Sequence, residues 1–180
     1  MVSDVMSLPI LQIAAIVPVT ISLVRWRVGQ RHRNAQSWDS LVARLKPGWS
    51  ARDLSVHFLS KEGLNASPGE TWERMQGFRG IRAMYHNAGV MLEMADYAAL
   101  NIDSSGSIDP ALLETLRSDA MQIRTGALRV LAHCVFQHAS ENVRSKAFRV
   151  ASMYTGMAAR TAQLLQMSAP DMLPDFVAAM

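Results

Sequence analysis

The sequence predicts an all-α chain, with one N-terminal transmembrane helix followed by a small antiparallel bundle of three long helices plus one or two short ones. Three observations carry this expectation. Residues 5–24 hold no charged side chain, and four arginines follow within nine positions. Apolar residues recur at alternating spacings of three and four along three long stretches, the period of a helix with one buried face. No stretch alternates apolar and polar residues as a half-buried strand does.

The N-terminal run, VMSLPILQIAAIVPVTISLV, is long enough for a hydrocarbon core of ~30 Å, which takes about 20 helical residues to cross. Inside lipid every backbone polar group must be satisfied within the segment, so a single span has to be helical. Pro9 falls in the first turn, where a missing N–H costs little, and Pro18 predicts a kink in mid-span. Trp26 sits at headgroup level. Asp4 is the one charged residue before the span, whereas Arg25, Arg27, Arg31 and Arg33 follow it. Basic residues stay on the cytoplasmic side. The expected layout is therefore a short non-cytoplasmic N-terminus over 1–6, a span over 7–27, a basic juxtamembrane connector over 28–48, a cytoplasmic helical domain over 49–168 and a tail over 169–180. The expected location is the cell inner membrane, single-pass, with the N-terminus outside. A cleaved signal peptide fits poorly, because the n-region is acidic and the apolar run ends in RWRVGQRHR rather than at a small-residue cleavage site.

The net charge of +3 belongs to the arginine cluster, since residues 35–180 carry 14 basic and 14 acidic side chains. That pattern predicts contact of Arg25, Arg27, Arg31 and Arg33 with anionic lipid headgroups, worth ~1 kcal/mol per basic residue near the surface. It predicts no nucleic-acid partner. The single cysteine, Cys134, excludes an intrachain disulfide and a thiolate metal cage.

After the connector, Lys46-Pro47-Gly48 is a helix stop, and Ser50 with Asp53 has the spacing of a capping box opening a short helix. Ser67-Pro68-Gly69-Glu70 is a stronger start: an N-cap, a proline at the first helical position and a capping-box glutamate. A long helix is expected from there to about Leu100. Its stripe is Met75, Phe78, Ile81, Tyr85, Ala88, Leu92, Ala95 and Ala99, and a second row holds Met84, Met91, Met94 and Ala98. Two apolar rows make this the central helix. Gly77, Gly80 and Gly89, each costing ~1 kcal/mol against Ala, suggest close approach of a neighbouring helix. NIDSSGSI is a turn by composition, and Asp109-Pro110 restarts a helix. Its core stripe is Leu113, Leu116, Ala120, Ile123, Ala127, Val130 and Cys134. Ser140 caps a last long helix with Val143, Ala147, Val150, Tyr154, Met157, Thr161 and Leu164 inside, ended by Ala169-Pro170.

Candidate sites are few. Arg82, His86, Glu93 and Asp96, with Arg79, share one side of the central helix, where an acid/base or anion site, an exposed salt-bridged face and a polar contact between helices are the alternatives. Asp103 and Glu114 have the end-ligand spacing of a calcium loop, but Ile108 occupies the position that needs glycine. His133 and His138 lie about 140° apart on a helix and do not share a face. No phosphate loop, nucleophile elbow or zinc motif occurs, so no catalytic residue, cofactor or metal is expected.

The segment FRGIRAMYHNAGVMLEMADYAAL followed by IDPALLETL resembles a loose bacterial family of uncharacterised single-pass membrane proteins with a small helical domain of unknown function. The resemblance implies the same layout and no activity. The expected function is that of a membrane-anchored non-enzymatic interaction or scaffold protein, with membrane lipid and a protein partner or a second copy as partners. Two alternatives stand beside it. One is an accessory single-span subunit of a larger membrane complex, with Ala14, Ala15 and Ser22 facing a neighbouring helix. The other is a ligand sensor or enzyme using the polar face of the central helix.

Overall fold

Three amphipathic stretches, each too long to leave its apolar stripe in water, fold into three long helices that share one core. A computed structural model of the chain describes residues 37–46, 67–101, 108–137 and 140–180. The expected span over 7–27, its arginine collar and the short helix from Ser50 lie outside the described residues. Among the described residues every regular element is helical, and no helix is long and apolar enough to cross a membrane.

The elements, in order, are α1 (Trp38–Val42), α2 (Pro68–Arg74), α3 (Phe78–Leu100), α4 (Pro110–Gln137), α5 (Glu141–Ser168), a 3-10 turn (Pro170–Met172) and α6 (Leu173–Ala179). They belong to one compact unit, Ser37–Met180, in which α4 packs against both α3 and α5. Asp96 meets Arg117 and Tyr85 meets Arg124, so α3 and α4 run antiparallel. Asp119 meets Arg160 and His133 meets Lys146, so α4 and α5 do too. The short elements close the ends: α2 lies on α5, and α6 packs on α5 and α1.

The caps explain the boundaries. Ser67 accepts from the Glu70 backbone N–H at 3.2 Å while Glu70 accepts from the Ser67 N–H at 3.0 Å. This is the reciprocal box expected for α2. Asp109 accepts from the Ala111 N–H at 2.8 Å and opens α4, as a short carboxylate at a helix start does. Ser140 occupies the N-cap position of α5 with extended backbone, but its side chain makes no capping bond.

Every residue of the α4 and α5 stripes named from spacing is buried. On α3 the second row is the deeper one: Met84, Met91, Met94 and Ala98 are all buried, whereas Phe78 of the first row is 45% exposed. The buried methionines of α3 and Met157 of α5 are core filler, as unbranched side chains suited to irregular gaps.

The expectation of one unbroken helix from Pro68 to Leu100 is corrected. The chain leaves helix at Met75–Gly77, where Gln76 and Gly77 take φ of 59° and 56°. Trp72 packs edge-on against Phe78 across the break, with ring centroids 5.7 Å apart. The glycines also have other reasons than those expected. A Cβ on Gly80 would lie 2.0 Å from the Met75 carbonyl oxygen, so Gly80 lets the chain fold back at this break. Gly89 has ordinary room. Close approach of two helices occurs instead at Gly126, where a Cβ would lie 2.8 Å from Val150 Cγ2 of α5.

Candidate functional site

The predicted polar face of α3 is a joint rather than a pocket. Glu93 binds the Arg44 guanidinium through both carboxylate oxygens. The hydrogen bond to Glu93, with its charge, outweighs desolvation and holds Arg44 more firmly protonated than usual. His86 Nε2 lies 2.9 Å from the Arg44 carbonyl oxygen. The ring therefore carries its proton on Nε2 and donates it there. Asp96 turns instead to α4, accepting from Arg117 at 3.0 and 3.1 Å. Arg82 is exposed. The four residues are therefore not gathered on one ligand: two hold the segment after α1, one holds α4, and one faces solvent.

Beneath this face lies a buried polar hub that sequence reasoning missed. Asn87 is 3% exposed. Its Oδ1 accepts from the Lys46 backbone N–H at 2.9 Å, and its Nδ2 donates to the Lys46 carbonyl at 3.1 Å and to the Tyr154 hydroxyl at 3.0 Å. Tyr154 in turn donates to Met180 Sδ at 3.4 Å. One side chain thus satisfies both backbone groups of Lys46 and ties α3 to α5 and to the C-terminal residue. Burial pushes the Tyr154 phenol well above its ordinary value, only partly offset by the Asn87 hydrogen bond. The only signal of this hub in the sequence is an asparagine between apolar positions in mid-helix.

A groove of about 540 Å³ runs along the α4–α5 seam. Met121, Val150 and Met153 give it apolar surface, Gln122 and Thr125 polar surface, and Arg129, Lys146 and Arg149 bring three cations to it, while no carboxylate lines it among the described residues. Asp119, farther along the same seam, is paired with Arg160. The cations of α4 that face α3 are engaged elsewhere: Arg117 on Asp96, and Arg124 over the Tyr85 ring at 4.8 Å from its centroid. At one end of the groove His133 Nδ1 lies 2.8 Å from the Arg129 carbonyl and its Nε2 3.5 Å from Lys146 Nζ. Nδ1 therefore carries the proton and Nε2 presents its lone pair to the ammonium. No spacing rule singles out these residues, because they meet only once the register of α4 against α5 is known.

The remaining sequence candidates fall away from any site. Burial pushes the Cys134 thiol up, away from a reactive thiolate. His138 and most of the Asp103–Asp109 turn lie outside the described residues. Asp109 acts as a cap, and Glu114 is exposed beside Arg117. Among the described residues no three His, Cys, Asp or Glu side chains are grouped to hold a metal.

No protein-family model matches the chain, and neither does any curated protein or solved structure.

Proposed function

We propose that the chain is a membrane-anchored, non-enzymatic interaction protein. A single span over 7–27 tethers the helical bundle to the inner leaflet of the cell inner membrane, with the N-terminus outside. The observation that carries this reading is the uncharged run over 5–24 followed directly by Arg25, Arg27, Arg31 and Arg33. The polar face of α3 favours it over an enzyme, because His86, Glu93 and Asp96 are engaged in holding neighbouring segments. The partners are anionic lipid at the arginine collar and a protein, or a second copy of this chain, at the bundle.

The test is fractionation of the full chain expressed in a bacterium. The expected result is a membrane pellet that resists alkaline carbonate and dissolves in mild detergent, with the bundle cut by protease only after the inner membrane is opened. Recovery of the chain in the soluble fraction without detergent overturns the anchor. A strictly monomeric species with nothing bound, purified in mild detergent, overturns the interaction role. Deleting residues 1–34 separates this reading from an accessory subunit held by its span: an interaction protein keeps its partner, whereas the accessory subunit loses it.

A further inference from the structure

We infer that the α4–α5 groove is a binding site for a phosphorylated amphiphile, a phosphate head joined to a short apolar chain. Four observations combine. First, the groove volume is about 540 Å³. That is the size of a small-molecule site, and far more than packing faults leave between well-packed helices. Second, its charge has one sign among the described residues: Arg129, Lys146 and Arg149 line it without a carboxylate. Elsewhere on the two helices Arg117, Arg124 and Arg160 have partners in Asp96, Tyr85 and Asp119, while Arg144, beside Gly69 of α2, keeps a buried Nε with no hydrogen-bond partner among the described residues. Like charges brought together repel, and the repulsion is relieved by a bound anion. Guanidinium groups suit phosphate because their planar forks match its oxygens two at a time, and Lys146 adds a compact third charge.

Third, part of the wall is apolar, beside the polar Gln122 and Thr125. Met121, 59% exposed, and Met153 flank the cations. Methionine adapts to chains of varied shape. Inorganic phosphate leaves these walls wet, whereas a phosphate carrying a hydrocarbon chain covers them. Fourth, α4 and α5 meet closely within the groove's lining, where a Cβ on Gly126 would lie 2.8 Å from Val150 Cγ2. His133, with Nδ1 fixed on the Arg129 carbonyl, presents its Nε2 to Lys146 and so positions that ammonium at one end of the groove. The site does not depend on the membrane anchor. Its phosphate head can come from a lipid or from a free metabolite-like monoester, and the two sources differ in the second acyl chain.

The test uses the full chain in a neutral maltoside detergent, carrying carbon-13 methionine methyls. The probes are hexyl phosphate, dihexanoyl phosphatidic acid, inorganic phosphate and hexanol. The expected result is a saturable shift of the Met121 and Met153 methyls with the two phosphate amphiphiles, while the buried Met91 and Met94 methyls stay in place. Inorganic phosphate and hexanol bind at least about tenfold more weakly. Arg129→Glu or Arg149→Glu weakens amphiphile binding about tenfold or more, Arg149→Lys weakens it less because the charge stays while the fork is lost, and unchanged core methyls show that the variants are folded. Tighter binding of dihexanoyl phosphatidic acid assigns the site to a lipid headgroup, and tighter binding of hexyl phosphate assigns it to a free monoester. Absence of a saturable shift with both amphiphiles overturns the inference. So does equal binding of hexanol or inorganic phosphate, or affinity unchanged by charge reversal.

Discussion

The joint between the α1 segment, α3 and α5 and the groove between α4 and α5 use the same kinds of side chain to opposite ends. In the joint every polar group meets a complement: Arg44 has Glu93, His86 has the Arg44 carbonyl, and Asn87 answers both backbone groups of Lys46 and the Tyr154 hydroxyl. In the groove Arg129, Lys146 and Arg149 stand together without an anion among the residues that line it. Buried polar groups stabilise a fold only when each is satisfied, so the joint is a fastening. Cations of one sign gathered without a counter-charge add no stability to the fold, so the groove is surface left available. Charged residues on a helix face therefore indicate function less by their number than by whether the fold has already matched them.

The largest test of this contrast is Asn87→Ala. It orphans the Lys46 N–H and C=O in a partly buried setting and is expected to lower unfolding stability by about 3 kcal/mol, measured by urea denaturation. Tyr154→Phe comes next, at about 1.5 kcal/mol, because it removes one acceptor of Asn87 and the donor to Met180. It also has a pH signature. The native phenol holds its proton to higher pH than the unfolded one. Tyr154 therefore contributes fully below about pH 10 and loses that contribution as pH rises beyond it. Thermal melts between pH 9 and 11 (roughly the ordinary tyrosine range) should fall more steeply for the wild-type chain than for Tyr154→Phe. Equal slopes would show that the buried hydroxyl is not protected.

Gly126→Ala sets a methyl 2.8 Å from Val150 Cγ2. It is expected to cost about 1 kcal/mol through overpacking, moving the Met121 and Met153 methyl resonances together. Glu93→Gln is smaller, about 0.5 kcal/mol, because both partners keep solvent contact, and the effect should shrink further in high salt. Arg149→Ala closes the series with a change within about 0.5 kcal/mol of zero. A substantial loss there would mean that the groove's cations are fastened after all.

The readability of the chain follows the same division. The α4 stripe from Leu113 to Cys134 and the α5 stripe from Val143 to Leu164 were legible from spacing and are buried, but α5 also buries Ala151, Ala158 and Leu165, which lie beside its stripe and are covered because the helix packs on α2, α3 and α4. On α3 two buried rows were expected, and Met75, Ile81, Ala88 and Ala95 of the first are buried with all of the second, while Tyr85, Leu92 and Ala99 are only partly buried. The break at Gln76–Gly77 was hidden: apolar spacing continues through it from Trp72 and Met75 to Ile81, and a left-handed glutamine has no local signature. The joint and the groove were hidden for another reason. Asn87 lies 67 residues from Tyr154, and Arg129 and Arg149 belong to different helices, so their encounters are set by register between elements rather than by pattern within one.

Tension on the backbone at Ser37 would reach α1 first and then arrive at Arg44 and Lys46. There a two-oxygen carboxylate grip, an imidazole and an amide chelate pass the load to α3 together. The bundle is braced at the point where its leading strap enters, and a tug from that direction meets several bonds in parallel instead of unzipping them one by one.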